Sequence, residues 1–453
     1  MRLDRALAAA LLAVTLSVSL ARAADPPSVV GWPTFLIANP AAIPVPPPPG
    51  VAETAAELAA LRVARAEPAP DLAQRLRRWE TGGPVYLWNQ AATAALIDRN
   101  LGNAPASRVL ALLHTTLYDV SVAVAAARAA NPRQPPAARE ATLAVPGVRI
   151  PERSYPSETA AMGAAAAAVL NSLIPAEASR FSRLAGEGEG LRREAAIEFP
   201  SDAAAGRAIG EAVAALALAR AKDDGFSRQW TGTIPTGPGR WTGTRPAVPG
   251  NATWRAYVLP SNDALRPPPP PAVDSPQAVA ALAEVRAYSR TPQAVDLAIY
   301  WHAYGGARGF QIWNNELARR ALENGLAENS PRLAAAYAAL AIAFHDAHIG
   351  CWDAKYEYWY IRPSQLDPTI TTLVPLPSHP SYPSAHSCLS ASSTAVLGAL
   401  FPDDAARYEE LSRRSGESRI AAGLHYRFDI DVGEEIGRRA AELTLARLAP
   451  ALR

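Results

Sequence analysis

The chain has 453 residues, of which 49% are hydrophobic and 19% charged, a composition typical of globular rather than disordered proteins. Its 44 basic and 42 acidic side chains give a net charge of +2, so the overall charge favours neither nucleic acid nor an anionic membrane as a partner. The two cysteines, Cys351 and Cys388, are too few for a disulfide framework or a four-thiolate zinc site.

The N-terminal 80 residues are predicted to lie outside the main fold. Arg2 and Arg5 precede an apolar stretch that ends in small residues, a pattern that predicts a signal peptide over 1–23 and export to the periplasm or the medium. The stretch is shorter than the ~20 apolar residues of a membrane anchor, and no later segment is an uninterrupted apolar run of that length. We therefore expect no membrane span in the mature chain. Residues 24–80 are proline-rich and predict an extended N-terminal arm.

The remaining pattern is mainly helical. Apolar residues recur at helical intervals over 87–130 and 157–221, within a helical N-terminal region, 81–272, that ends in a long irregular loop. A second region, 273–453, holds further predicted helices over 276–360, 384–400, 403–422 and 432–448. Because β-pattern is almost absent, the sequence predicts an all-α fold, a helical bundle with long proline-rich connections.

The histidines are concentrated in the second region. Six of the seven lie between residues 302 and 425, and clustering of a scarce titratable residue points to a functional site. One hypothesis assigns His345 and His348, three positions apart on a helix, to a zinc hydrolase together with His379. It depends on that spacing alone.

A first segment of interest surrounds Lys355, one of only two lysines in the chain. Lys355 and Arg362 are seven residues apart, so both project from one helical face. Pro363 disfavours helical geometry at Arg362, which places that guanidinium at the helix end, free to point into a cleft. A solvated amphipathic helix is the simpler interpretation. However, aromatic neighbours exclude water from these cations, and a buried cation pair requires an anion.

A second segment combines a helix start with a histidine. Prolines followed by small residues predict a helix N-terminus near Ser384, where free backbone N–H groups and the helix dipole favour an anion. Ser384 can donate its hydroxyl, and His386 in the first turn can act as an acid or a base. The alternative is simple capping by Ser384 with an exposed His386.

A third segment contains Arg419, Gly423, His425 and Asp429. Gly423 permits a turn or a close backbone approach. Asp429 lies four residues after His425 and can bond one ring nitrogen, which fixes the tautomer and raises the basicity of the other nitrogen. A charged surface helix is the alternative. Taken together, the three segments provide three cations, a hydroxyl, a helix N-terminus and two histidines, the groups that hold a tetrahedral or trigonal-bipyramidal oxyanion.

These segments resemble the superfamily of vanadium-dependent haloperoxidases and type-2 phosphatidic acid phosphatases. The superfamily pattern is K-x6-R-P, then P-S-G-H, then S-R-x3-G-x-H-x3-D. Order and internal spacing match over about 75 residues, from Lys355 to Asp429. One position departs from the pattern, because Ala385 stands where the family has glycine. The resemblance implies a helical bundle of the same type, with the catalytic part in 273–453.

The resemblance also implies roles. Lys355, Arg362 and Arg419 would hold equatorial oxygens together with Ser384 and the Ala385 N–H. His425 would bond vanadium in a peroxidase or attack phosphorus in a phosphatase, with His386 as acid or base and Asp429 orienting His425. Lys355 would also be catalytic.

The haloperoxidase-like branch is favoured over the phosphatases. The chain is longer than the small secreted phosphatases and lacks the membrane helices of the lipid phosphatases. Trp352 and His379 resemble halide-pocket residues, and a histidine at the latter position is more similar to a bromoperoxidase. Vanadate is then the implied cofactor, with hydrogen peroxide and a halide, bromide favoured, as substrates. The alternatives are a secreted phosphatase that hydrolyses phosphate monoesters through a phospho-histidine without a cofactor, and a non-catalytic oxyanion-binding protein.

Overall fold

A computed structural model describes residue 29 and residues 31–65 and 69–452. The predicted signal peptide, 1–23, lies outside the described residues. The helices of eight or more residues, with two short ones, are numbered in chain order as follows: α1 Val51–Arg65, α2 Leu72–Glu80, α3 Gly83–Asp98, α4 Asn103–Ala130, α5 Pro136–Arg139, α6 Glu158–Leu173, α7 Ala178–Glu194, α8 Pro200–Lys222, α9 Pro276–Ala287, α10 Pro292–Tyr300, α11 Ala307–Glu323, α12 Ser330–Tyr358, α13 Pro363–Leu366, α14 Ala385–Leu400, α15 Ala405–Ala421 and α16 Arg427–Leu452. The described part of the chain contains no strand, only one isolated β-bridge, so the predicted all-α fold is confirmed.

Local sequence explains where the helices begin. Ser157, Ser275 and Ser384 cap α6, α9 and α14 by accepting a backbone N–H three residues further on. Thr291 caps α10 in the same way and is followed by proline at the first helical position. The starts at Ser157, Ser275 and Ser384 agree with the predicted starts at 157, 276 and 384 to within one residue, whereas the start of α10 was not predicted.

The stretch 24–80 differs from the prediction of an extended arm. Its proline run at 44–49 has no regular secondary structure, but α1 and α2 follow within the same stretch. Leu72, Leu76 and Trp79 of α2 are buried in a small apolar cluster with Leu191 of α7. The early prolines dominated the composition of the stretch, whereas the helical spacing of these three apolar residues decides the local structure.

Two long helices, α4 and α12, pack against each other at the centre of the fold. Both are long and apolar enough to cross a membrane, and both are mostly buried inside the protein. Around α4 pack α6 and α8, with α7 against α6; around α12 pack α14 and α16, with α15 against α14. The largest apolar core draws residues from both of the predicted regions, 81–272 and 273–453. The boundaries of these two regions stay predictions.

Candidate active site

The three sequence segments meet at one end of the α12, α14, α15 and α16 bundle, beside a cavity of about 550 Å³. The lining of this cavity includes His302, Trp352, His379, His386, Arg419 and His425. Lys355, Arg362, Ser384 and Asp429 lie directly behind that lining and are fully buried. The predicted site residues are therefore brought together around a single cavity.

Lys355 occupies the last turn of α12 and is completely buried. Its Nζ donates to the carbonyl oxygens of Pro380 (2.9 Å), Ser381 (3.0 Å) and Pro383, which belong to the loop that leads into α14. Burial lowers the pKa of Lys355 to about 8. The ammonium group thus fixes the loop at the start of α14 and adds a positive charge behind the cavity.

Arg362 follows α12 in an extended conformation, as the next residue, Pro363, requires. Its Nη1 donates to the Leu424 carbonyl and to His425 Nε2, both at 2.9 Å. Its Nη2 contacts His379 Nδ1 at 3.1 Å. Burial lowers the pKa of Arg362 to about 10, which leaves it charged at neutral pH.

Arg419, near the end of α15, is the third buried cation. Its Nε donates to Ser418 Oγ (2.9 Å) and its Nη2 to the Ala298 carbonyl (3.0 Å). Burial, followed by the charge of Arg362, lowers the pKa of Arg419 to about 9. Among the described residues, no acidic side chain forms an ion pair with Lys355, Arg362 or Arg419, although all three are at most 1% exposed. Asp429 acts electrostatically on Lys355 and Arg362 without pairing with either, so positive charge remains in excess and favours an anion from solution.

The N-terminus of α14 borders the same space. Ser384 Oγ accepts the Ser387 N–H at 3.4 Å, and its own hydroxyl hydrogen is free to donate. Ala385 is the first helical residue and lines the cavity, so its backbone N–H belongs to the unpaired first turn. Ala385 has ordinary helical geometry, and glycine is therefore not required there for its conformation.

His425 lies between the end of α15 and the start of α16. Gly423 makes the preceding turn with a φ of +75°, where a side chain would meet the Thr371 carbonyl. His425 Nδ1 donates to Asp429 Oδ2 at 2.8 Å, and that oxygen also accepts from Ser381 Oγ at 2.6 Å. Burial lowers the pKa of His425 well below its usual value and raises that of Asp429 to about 6. His425 is thus neutral at pH 7, with the lone pair on Nε2, where Arg362 donates.

His386 is held by a feature that sequence reasoning missed. Its Nε2 lies 3.0 Å from the Trp301 carbonyl oxygen, which can only accept, so Nε2 carries the proton in the neutral ring and Nδ1 is basic. Trp301 begins a π-helical turn, Trp301–Gly306, whose Gly305 packs so closely that a Cβ would lie 3.0 Å from His386. His302, exposed in the same turn, also lines the cavity. The cluster of histidines pointed to this region, but no residue type signals a backbone carbonyl acceptor.

The two predicted halide-pocket residues, Trp352 and His379, line the same cavity as Arg419 and His425. The Trp352 and His379 rings lie 5.5 Å apart between centroids, and Trp352 stacks on His348 at 3.9 Å. The indole N–H of Trp352 is buried without a hydrogen-bond partner in the described chain. Cys351 and Cys388 are free, buried thiols in an apolar cluster with Trp352.

The zinc hypothesis finds no support in the structure. His345 contacts Ser107 Oγ, and His348 accepts from Asn251 Nδ2 at 2.9 Å, so each is engaged by a neutral partner. Throughout the residues that the structure describes, no three His, Cys, Asp or Glu side chains come together as a metal-ligand set. Burial lowers the pKa of His348 to about 3, and it acts as a neutral support beneath Trp352.

No protein-family profile matches the chain, and no curated protein matches it significantly. Several solved structures do. A bacterial vanadium-dependent iodoperoxidase is 22% identical with a TM-score of 0.62, covering 81% of this chain and 96% of its own. The holo and apo forms of a bacterial vanadium-dependent chloroperoxidase are 15% and 13% identical, both with a TM-score of 0.54, and cover 76% of this chain and 91% and 93% of their own. The chain therefore has the all-α fold of the vanadium-dependent haloperoxidases.

Proposed function

We propose that the protein is an enzyme, a vanadate-dependent haloperoxidase that oxidises a halide, bromide favoured, with hydrogen peroxide. The observation that carries the proposal is the set of three buried cations, Lys355, Arg362 and Arg419, none paired with a carboxylate, around a cavity that His425 also lines. Phosphate and orthovanadate are both tetrahedral oxyanions, so the cavity supports a small oxyanion in general, and the likeness of the fold favours vanadate over phosphate.

The residues fit vanadate. Arg362, Arg419, Ser384 and the Ala385 N–H would hold its oxygens, and Lys355 would stabilise its charge from behind, exchanging one of its carbonyl partners for an oxygen. His425 Nε2 would bond vanadium once Arg362 Nη1 gives up that nitrogen. Bound vanadate would supply a Lewis acid that activates hydrogen peroxide towards halide attack.

His425 and His386 would have different roles, one as a ligand and the other as an acid or base. Asp429 and Ser381 fix the His425 ring, so its lone pair is held on Nε2 rather than Nδ1. His386 is kept neutral by burial and turned by the Trp301 carbonyl, and its free Nδ1 can take a proton from incoming peroxide and return it to the product. The unpaired Trp352 N–H would donate to the halide, beside a neutral His379.

A single preparation tests this assignment. Wild-type protein loaded with orthovanadate should brominate a dimedone-type acceptor with peroxide and bromide, and His425→Ala should lose that activity. Absence of bromination by vanadate-loaded wild-type protein would overturn the proposal. Vanadate binding without any turnover would support the non-catalytic oxyanion-binding alternative instead.

The second candidate is a phosphatase, favoured by the unprotonated Nε2 of His425, which is poised to attack phosphorus as well as to bind vanadium. His386 would then protonate the leaving alcohol and activate water. Hydrolysis of an aryl phosphate that vanadate inhibits, and that His425→Ala abolishes, would favour it.

We also propose export, directed by residues 1–23. N-terminal sequencing of the exported protein tests it, and an intact leader on the mature protein would refute it.

A further inference from the structure

The chain contains the tetrapeptide Ser-Tyr-Pro-Ser twice, at 154–157 and at 381–384, a separation of 227 positions (384 minus 157). The same separation relates helices. Adding 227 to the bounds of α6 and α7 gives the bounds of α14 and α15, and α4 maps in the same way onto residues 330–357 of α12. Helix packing repeats as well, because α6 contacts α4, α7 and α8 as α14 contacts α12, α15 and α16.

Hydrogen bonds repeat at the same separation. The Ser157 N–H donates to the Asp202 carbonyl at 2.9 Å, and the Ser384 N–H to the Asp429 carbonyl at 2.8 Å. The residue three before each aspartate donates its N–H to the Oδ2 of that aspartate, at 2.8 Å for Asp202 and 3.1 Å for Asp429. The two halves of the chain are therefore two copies of one helical unit.

The helix crossings repeat too. Gly206 lies where a Cβ would meet the Ser157 carbonyl, and its counterpart Gly433 lies where a Cβ would meet the Ser384 carbonyl. In both copies a glycine permits the final long helix to approach the capping serine closely. The copies share their packing as well as their hydrogen bonds.

Most of the oxyanion-holding groups have counterparts in the N-terminal copy. Ser157 caps α6 as Ser384 caps α14, and Arg192 corresponds to Arg419. Arg128 corresponds to Lys355 and donates to the Pro156 carbonyl at 3.1 Å, as Lys355 donates to the equivalent carbonyl of Pro383. The N-terminal copy thus repeats the serine, the arginine and the cation beneath the loop.

The position of His425 is taken by Glu198 (425 minus 227). The Glu198 carboxylate is 1% exposed and accepts from Ser157 Oγ at 2.6 Å and from Arg192 Nε at 2.5 Å. Of the counterparts of these two groups, Arg419 lines the cavity of the C-terminal copy and Ser384 lies directly behind that lining. A carboxylate presents two oxygens at the spacing of one edge of a tetrahedral oxyanion, so it satisfies the donors that an oxyanion would otherwise bind.

We infer that the N-terminal half contains a second oxyanion cradle, formed by Ser157, Arg192 and the first turn of α6, which the chain fills with its own Glu198 carboxylate. Removal of that carboxylate opens the cradle to a small tetrahedral oxyanion such as phosphate. Arg128 is paired with Glu158 (3.5 Å) in this copy, so the opened cradle has fewer available charges and binds more weakly than the C-terminal site. The inference depends on the repeated geometry and not on the reaction at His425.

Glu198→Ala tests the inference, with phosphate as the probe. In equilibrium dialysis with labelled phosphate, the variant should bind one more phosphate per chain than wild type, and Glu198→Ala combined with Arg192→Ala should lose that additional phosphate. If the C-terminal site binds phosphate, wild type should bind one phosphate per chain and Glu198→Ala two. If the C-terminal site binds none, wild type should bind none and Glu198→Ala one. Failure of the proposed function is therefore distinguishable from failure of this inference.

Thermal stability provides a second readout. Glu198→Ala leaves Ser157 and Arg192 without their partner, so its Tm should fall in chloride and recover in phosphate of equal ionic strength by more than wild type gains. Glu198→Gln keeps the side chain in place and should gain no more than wild type. A folded Glu198→Ala that binds no additional phosphate would overturn the inference. So would a Glu198→Ala that stays unfolded in phosphate while Glu198→Gln folds.

Discussion

The two halves of the chain share one helical framework but neutralise their buried charges differently. In the N-terminal half, Glu198 pairs with Arg192 and Asp202 pairs with Arg133. In the C-terminal half, Arg362 and Arg419 donate only to carbonyls, a hydroxyl and histidines. A few side chains at positions that the framework already provides thus decide whether a buried charge cluster is structural or is open to a ligand.

The largest expected effect comes from giving His425 the identity of its counterpart. In His425→Glu, the new carboxylate should accept from Ser384 and Arg419, as Glu198 accepts from Ser157 and Arg192. The carboxylate would then occupy the place of the bound oxyanion. We expect bromide oxidation to fall by about a thousandfold or more and phosphate binding at this site to disappear. Halide-oxidation assays and equilibrium dialysis measure the two effects.

His425→Ala is the matched control for that substitution. It should lose as much turnover but keep measurable phosphate binding, because the three cations remain unpaired. Equal phosphate affinity in His425→Glu and wild type would break the comparison between the two halves.

Removal of one cation from the open cradle should have the next largest effect. Arg419→Ala deletes a charged hydrogen-bond donor, a loss of about 1.5–3 kcal/mol, and should weaken oxyanion binding about 10- to 100-fold. Arg413→Ala, on the same helix but 63% exposed, is the control and should leave affinity and activity unchanged. Titration of both variants with orthovanadate tests this, and a similar affinity for the two would contradict the assignment of Arg419.

Asp429 and its counterpart Asp202 allow the orientation of His425 to be tested separately from the stability of the protein. Asp429→Asn should lower turnover about 10- to 100-fold, since His425 loses the acceptor that fixes its tautomer. Asp202→Asn removes the equivalent carboxylate beside Arg133 and should lower the free energy of unfolding, with turnover per folded molecule unchanged. Kinetics and denaturant unfolding of both variants provide the comparison. Loss of turnover in Asp202→Asn alone would refute it.

The smallest effect concerns pH. Burial lowers the pKa of Lys355 to about 8, so the ammonium is charged below that pH and neutral above it. Phosphate is a dianion above about pH 8 and loses no further proton up to pH 9.5, so its affinity should fall as pH rises above 8, by up to about tenfold per unit. Lys355→Arg should hold its affinity up to about pH 9, where the pKa of Arg419 lies, because the ordinary pKa of arginine is well above that of lysine. Dissociation constants between pH 7 and 9.5 test this, and a flat wild-type profile would contradict it.

Much of the site could be predicted because the spacing of residues within a short segment determines where their side chains lie relative to one another. Pro363 determines the extended geometry of Arg362, and the separation of four residues brings Asp429 to His425 even though α16 begins only at Arg427. The convergence of the three segments followed from the resemblance to a known pattern. Spacing within each segment does not determine how separate helices pack.

Other features left no usable signal. The Trp301 carbonyl that orients His386 belongs to a π-helical turn, and backbone geometry of this kind has no residue signature. The helices α1 and α2 were obscured by the composition of the prolines before them. The repeat was visible in the two Ser-Tyr-Pro-Ser copies, but Glu198 in place of a histidine removed the motif that would have drawn attention to it.

The hydrogen bond between Arg362 and His425 has a consequence for the state of the site before an anion binds. One guanidinium N–H caps the ring nitrogen, and Asp429 restrains the opposite side of the ring, so the imidazole is clamped in its working orientation before any anion arrives. At this ring, loading would need only the exchange of the Arg362 donor for the ligand, with no rotation of the imidazole. A chain synthesised where the anion is scarce still folds into a receptive form.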